Sequence, residues 1–220
     1  MSFPPQLFKF LKDLRAHNDR AWFQEHRERY DNFVKLPLLA FIGDVGTDLG
    51  KISKQLVADP SPTGGSMFRI YRDTRFAKDK SPYKTHAAAQ FRHAASTKDV
   101  HAPGRYLHLE PGSVFVAGGM WRPDAPGLAR VRDAIVKRPK VWATAKKGLT
   151  LGGESLKRPP AGYAADHPLI EDLKRKDFIA SIELSEKEAC SPRFRARFIE
   201  ACRELAPLLK FLTSAVDLPW

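Results

Sequence analysis

The sequence predicts an α+β fold: a mainly antiparallel sheet with helices packed on its apolar face. Three features of the 220 residues carry this expectation. Apolar residues recur at helical spacing from Leu7 to Leu56. Alternation with period two takes over after the turn-rich connector Asp59–Gly65. Helical spacing then returns from Phe194 onward. Pro111-Gly112, between two alternating runs, marks a hairpin and so an antiparallel pair, although this dipeptide prefers a type II turn that fits a two-residue hairpin poorly. No internal repeat, low-complexity tract or sharp composition shift divides the chain, so residues 1–220 are expected to form a single domain.

In chain order, Leu7, Leu11 and Leu14 predict a first helix over Pro5–Arg15. Asn18 can cap a second, which carries Trp22, Phe23, His26, Tyr30 and Phe33. Pro37 suits the first turn of a third helix, whose stripe is Leu38, Ile42, Val45, Leu49, Ile52 and Leu56, with Gly43, Gly46 and Gly50 allowing close packing. Strands are predicted at Phe68–Asp73, Lys84–Gln90, Arg105–Glu110 and Val114–Ala117. Leu128, Val131 and Ile135 predict a helix over 125–137, which Pro139 closes before another around Trp142. Residues 152–162 read as irregular, Pro168 can start a short helix, and Phe178, Ala180, Ile182 and Leu184 alternate as a strand. Ser191-Pro192 would cap one long final helix with the stripe Phe194, Phe198, Cys202, Leu205, Leu209 and Leu212.

Lysine and arginine number 37 against 25 acidic residues, a formal charge of +12 and a pI near 9.8. Such a field attracts phosphates, nucleic acid or acidic head groups, and it equally serves solubility. The two cysteines, Cys190 and Cys202, form no C-x-x-C pair and suit a reducing compartment, while charges break up the apolar stretch MSFPPQLFKFLKDLRA that a secretory signal would need. A cytoplasmic protein without membrane segments is the expectation.

The densest polar chemistry lies in FRIYRDTRFAKDKSPYKTH, residues 68–86, where six basic residues face two acidic ones. Alternation would place Arg69, Tyr71, Asp73 and Arg75 on one strand face opposite Phe68 and Ile70. It would likewise group Lys84 with His86, and Tyr106 with His108 and Glu110. Neighbouring strands would then form one basic floor that includes Tyr71 and Tyr106, with Lys78 and Lys80 beside it. Guanidinium forks, ammonium groups and aromatic rings on one surface suit a phosphate-bearing small molecule, a nucleotide or a nucleic-acid segment. The bland alternative is an internal salt-bridge network with Arg69 or Arg75 held by Asp73 or Glu110.

His108-Leu-Glu110 is an H-x-E pair without the downstream P-C-x-x-C of zinc deaminases, so it supports acid–base chemistry rather than a deaminase site. Of the recurring His86, His93, His101 and His108, only His86 and His108 fall on the polar face, an incomplete ligand set; no metal or other cofactor is expected. Trp121, in Gly118-Gly-Met-Trp-Arg-Pro123, is a candidate stacking lid or a core plug. No H-E-x-x-H, Walker loop, dinucleotide glycine fingerprint or G-x-S-x-G elbow occurs.

Trp22-Phe23, the central FRIYRDTRFAKDKSPYKTH, RYLHLEPG, AGGMWRP, LKRPPAGY and DHPLIEDLKRKDF occur in an order that resembles the bacterial and fungal family called domain of unknown function 2461. The resemblance covers nearly the whole chain and implies a shared α+β fold; it carries no activity or catalytic residues over. Three functions are weighed. The first is a protein that binds a phosphate-bearing ligand through Arg69, Tyr71, Asp73, Arg75, Lys78, Lys80, Lys84, Tyr106 and Trp121. The second is a metal-independent hydrolase or transferase using His86, His108 and Glu110. The third is a basic scaffold for an acidic protein partner.

Overall fold

Pro5 has no N–H to lose and a φ already suited to a helix, so it opens α1 (Pro5–Ala16), which buries Leu7, Leu11 and Leu14. The computed structural model describes residues 2–96 and 101–220. The next helix, α2 (Arg20–Glu25), is capped by Asp19, whose carboxylate accepts from the Trp22 N–H at 2.9 Å, and not by Asn18. After α3 (Arg27–Tyr30) the chain widens into a π turn at Asp31–Lys35, where the Leu36 N–H bonds the Asp31 carbonyl. It then continues as α4 (Leu36–Ile52). Pro37 has no N–H to give the preceding turn, and the widened turn runs up to it. Leu38, Ile42, Val45 and Leu49 are buried as the stripe requires, whereas Leu56 belongs to a short edge strand, β1 (Leu56–Val57).

The sheet continues with β2 (Ala87–His93), β3 (Gly104–Glu110) and β4 (Ser113–Met120). Glu110 pairs with Ser113 across the two-residue loop Pro111-Gly112, and Gly112 takes the φ of +84° that the third position of a type II turn demands. The helices α5 (Ala125–Lys137) and α6 (Pro139–Ala145) follow as expected. Next come β5 (Leu151–Gly152), α7 (Ile170–Leu173) and β6 (Phe178–Leu184). The strand order is β1-β2-β3-β4-β6-β5, every pair antiparallel. A capping box at Ser185 and Glu188 starts α8 (Glu186–Ala189).

The final helix is two helices, α9 (Phe194–Glu204) and α10 (Ala206–Ala215), joined at Leu205. Pro207 supplies the break, since it cannot donate back into α9 but sits without cost in the first turn of α10. The apolar stripe survives it: Phe194, Phe198, Cys202, Leu205, Leu209 and Leu212 are all buried. Both helices lie against β4, α1 against β3 and α4 against β2, so one sheet face is covered. Among the described residues no helix is long and apolar enough to cross a membrane.

The predicted strand Phe68–Asp73 is not one. Residues 67–84 form an irregular two-limbed arm that touches β2 through the Phe68 N–H to the Ala88 carbonyl and closes on itself through Lys84 N–H to Ile70 and Arg72 N–H to Pro82. Asn18 explains its path. Its side-chain amide donates to the Tyr83 carbonyl and accepts from the Tyr83 N–H, both at 3.0 Å, holding the arm against the helices. Tyr83 stacks on Phe23 at 4.1 Å, and Tyr83 and Ile70 are buried. Strand alternation is therefore lost before the segment reaches the sheet.

Candidate functional site

On β3 the odd residues Leu107 and Leu109 point into the helical core, and pleating turns Tyr106, His108 and Glu110 to the opposite face. Register sets their neighbours. Tyr106 lies between Gln90 and Ala117, and His108 between Ala88 and Phe115. The small Ala88 and Ala117 leave room, and a cleft of about 460 Å³ opens along this face, with Phe68, Lys84, His86, Tyr106, Phe115 and Trp121 in its lining. Its floor includes Gly119, whose φ of +141° and close approach to β6 admit no side chain, since a Cβ there would lie 1.9 Å from the Phe178 carbonyl oxygen.

A hydrogen-bonded chain runs along the strand. Tyr106 Oη meets His108 Nδ1 at 2.9 Å, and His108 Nε2 meets Glu110 Oε2 at 3.1 Å. The other carboxylate oxygen of Glu110 accepts from Arg15 Nη2 at 2.9 Å and Thr85 Oγ1 at 3.0 Å. The His108 ring lies between those of His86 and Phe115, with centroids 4.6 Å away on each side. One donor atom from each of His86, His108 and Glu110 lies within 4.8 Å of the others.

Burial, with the nearby His108, pushes the His86 imidazole down to about 4, and burial raises the Tyr106 phenol to about 12. Burial alone would raise Glu110, but the bonds from His108 and Thr85 outweigh it and the carboxyl falls below its usual value. Burial also lowers Lys84, helped by Arg69. The Lys84 ammonium lies 5.4 Å from the Phe68 ring centre and donates to the Arg69 carbonyl at 2.7 Å.

The structure brings together Lys84, His86, Tyr106, His108, Glu110 and Trp121, and it separates the rest of the predicted floor. Arg69, Tyr71, Asp73, Arg75, Lys78 and Lys80 ride on the arm, all exposed and none in the cleft lining. Phe68, assigned to the opposite face from His86, lines the cleft with it, because the arm does not keep strand alternation. Tyr71 packs near Tyr83 and Phe23 instead. Arg75 forks onto Asp73 at 2.7 and 3.0 Å and holds that carboxyl down to about 2, Arg72 pairs with Asp79, and Lys80 donates to the Thr74 carbonyl at 3.0 Å. The salt-bridge alternative thus describes part of the arm.

Trp121 is half exposed at the rim, its ring centre 6.0 Å from that of His101, and is no core plug. His93, buried on the helical side, bonds the Pro219 carbonyl at 2.7 Å and takes no part in the site. Sequence reasoning missed Phe115, Phe68, Arg15 and Thr85. The Val-Phe-Val run of β4, apolar on both faces, was a usable signal for Phe115; nothing local could reveal Arg15, 95 residues from its partner.

No curated protein and no solved structure matches the chain. A family match described as a conserved hypothetical protein covers residues 6–211, nearly the whole length, and the chain therefore belongs to the DUF2461 family.

Proposed function

We propose that the open-face cleft binds a small organic molecule that joins a flat apolar ring to an anionic group, phosphate-bearing ligands and nucleotides among them. The observation that carries this is the composition of the 460 Å³ cleft: aromatic walls at Phe68, Tyr106, Phe115 and Trp121 around one ammonium, Lys84. That volume is in the range of small-molecule sites, and rings offer stacking while the Lys84 ammonium fixes the polar end. A strand of nucleic acid would want a long basic track, and the arm's cations lie outside the cleft lining. The two free cysteines suit a reducing compartment, and we place the protein in the cytoplasm.

Thermal melting with adenosine monophosphate and with benzoate tests this. At about a 100-fold excess over Kd a ligand adds about 2.7 kcal/mol, a rise of several degrees. The rise should vanish in Phe115→Ala. No shift with either probe sinks the proposal.

The chain Tyr106–His108–Glu110 beside His86 favours a second reading, a hydrolase or transferase in the same pocket in which these groups move a proton. Turnover of a phosphate or carboxylate ester that disappears in His108→Gln would select it over simple binding.

A further inference from the structure

We infer that His86, His108 and Glu110 form a binding site for one divalent transition-metal ion of the zinc or iron(II) type, with coordination positions left for solvent or a cleft ligand. Two imidazoles and a carboxylate are the donor set that such ions take while keeping open positions. Sequence reading counted two imidazoles; the pleat of β3 and the register with β2 add the carboxylate. Bonds of about 2.0–2.1 Å at tetrahedral angles separate ligand atoms by roughly 3.4 Å. Here His108 Nε2 and Glu110 Oε2 are 3.1 Å apart, and one donor atom from each of the three residues lies within 4.8 Å of the others, little more than a shared ion requires.

The groups behind the donors are also in place. Tyr106 Oη holds His108 Nδ1, which turns Nε2 toward Glu110, and Arg15 and Thr85 hold the far carboxylate oxygen, which leaves Oε2 for an ion. A tyrosine hydroxyl both donates and accepts, so when the metal takes Nε2, the imidazole proton moves to Nδ1 and donates to Tyr106, and no hydrogen bond is lost there. No hydrogen bond ties down the His86 ring among the described residues, and it lines the cleft, which gives a bound ion access to whatever the cleft holds. Arg15 and Lys84 are the opposing charges: the Arg15 side chain is half exposed and so screened by water, and the Lys84 ammonium, which is felt at His86, is drawn to the Arg69 carbonyl at 2.7 Å. The site stands whether or not the cleft takes an aromatic anion, and an ion there would make these side chains ligands rather than free acid and base.

The test uses the full chain stripped with chelator and titrated with Co²⁺, then competed with Zn²⁺. The expected result is about one equivalent bound, with visible absorption bands of four- or five-coordinate cobalt. His86→Ala and Glu110→Gln should each lower affinity by about 100-fold and Tyr106→Phe by about 10-fold, while exposed His17→Ala changes nothing. Circular dichroism checks each fold. Should Glu110→Gln fail to fold, His86→Ala decides, since it removes no hydrogen bond. Stoichiometry far below one equivalent, or affinity unchanged in His86→Ala, overturns the site.

Discussion

The two faces of β3 and β4 are made by the same strands and do different jobs. On the helical side Leu107, Leu109, Val114 and Val116 are fully or nearly fully buried against α1, α9 and α10. One residue along, Tyr106 and Phe115 line a cleft, and His108 and Glu110 lie beside them on the same face, hydrogen-bonded or stacked. The first face gains its stability from apolar area removed from water. The second holds polar groups in fixed directions, which an apolar core cannot do, and leaves volume unfilled beside them. The comparison teaches that stability and candidate chemistry are separable here at a spacing of one residue.

The largest expected effect is on the helical side. Phe198 is completely buried among Phe41 and Phe91, with ring centres 5.2 and 5.4 Å away, and Phe198→Ala should cost about 3–5 kcal/mol in chemical denaturation. A loss below about 1 kcal/mol would break the assignment of that face to the core.

Arg105 is the exception that sharpens the contrast. It is the first odd residue of β3, fully buried on the helical side, and its Nη2 donates to the Cys202 carbonyl at 3.1 Å beside the Trp220 ring. Nε and Nη1 find no partner among the described residues, and burial lowers the guanidinium below its ordinary value. A charge so poorly compensated contributes little net stability, so Arg105→Met should be neutral or stabilise by about 1–4 kcal/mol in the same denaturation experiment. A loss beyond about 3 kcal/mol would show that the guanidinium is well satisfied and that the helical face depends on it.

How much of this was legible follows from where the determinants lie. β3, β4 and β6 could be read because alternation and the Pro111-Gly112 turn are local, and the stripe of α9 and α10 could be read while their break at Leu205 was not, since Pro207 fits a helix start as well as an interruption. The two-residue strands β1 and β5 exist only through pairing with a longer neighbour. The arm was misread because Phe68–Asp73 alternates as a strand does, and what diverts it is a pair of hydrogen bonds from Asn18, 65 residues from Tyr83 in sequence. Half the site was visible for the same reason: His86, Tyr106, His108 and Glu110 sit on or next to regular strands, and the arm's cations do not.

The smallest expected effect separates those two groups of cations. Arg75 and Asp73 form an exposed ion pair on the arm, with 77% and 47% of their side chains in solvent, where water screens the attraction. Arg75→Ala should therefore leave the denaturation midpoint essentially where it is. It should also leave the affinity for an aromatic anion such as benzoate unchanged beyond the weak loss that follows from one positive charge fewer in the long-range field. Lys84 differs because it lines the cleft, half-buried, with its ammonium over Phe68. Lys84→Ala should weaken benzoate about 10-fold, the loss of a charge-assisted contact worth about 1.5 kcal/mol. Calorimetric titration of both variants decides the matter. Equal losses would mean that the arm closes over the ligand and that the basic segment acts as one floor after all; a loss confined to Lys84→Ala assigns recognition to the cleft and leaves the arm's charges as solvated surface.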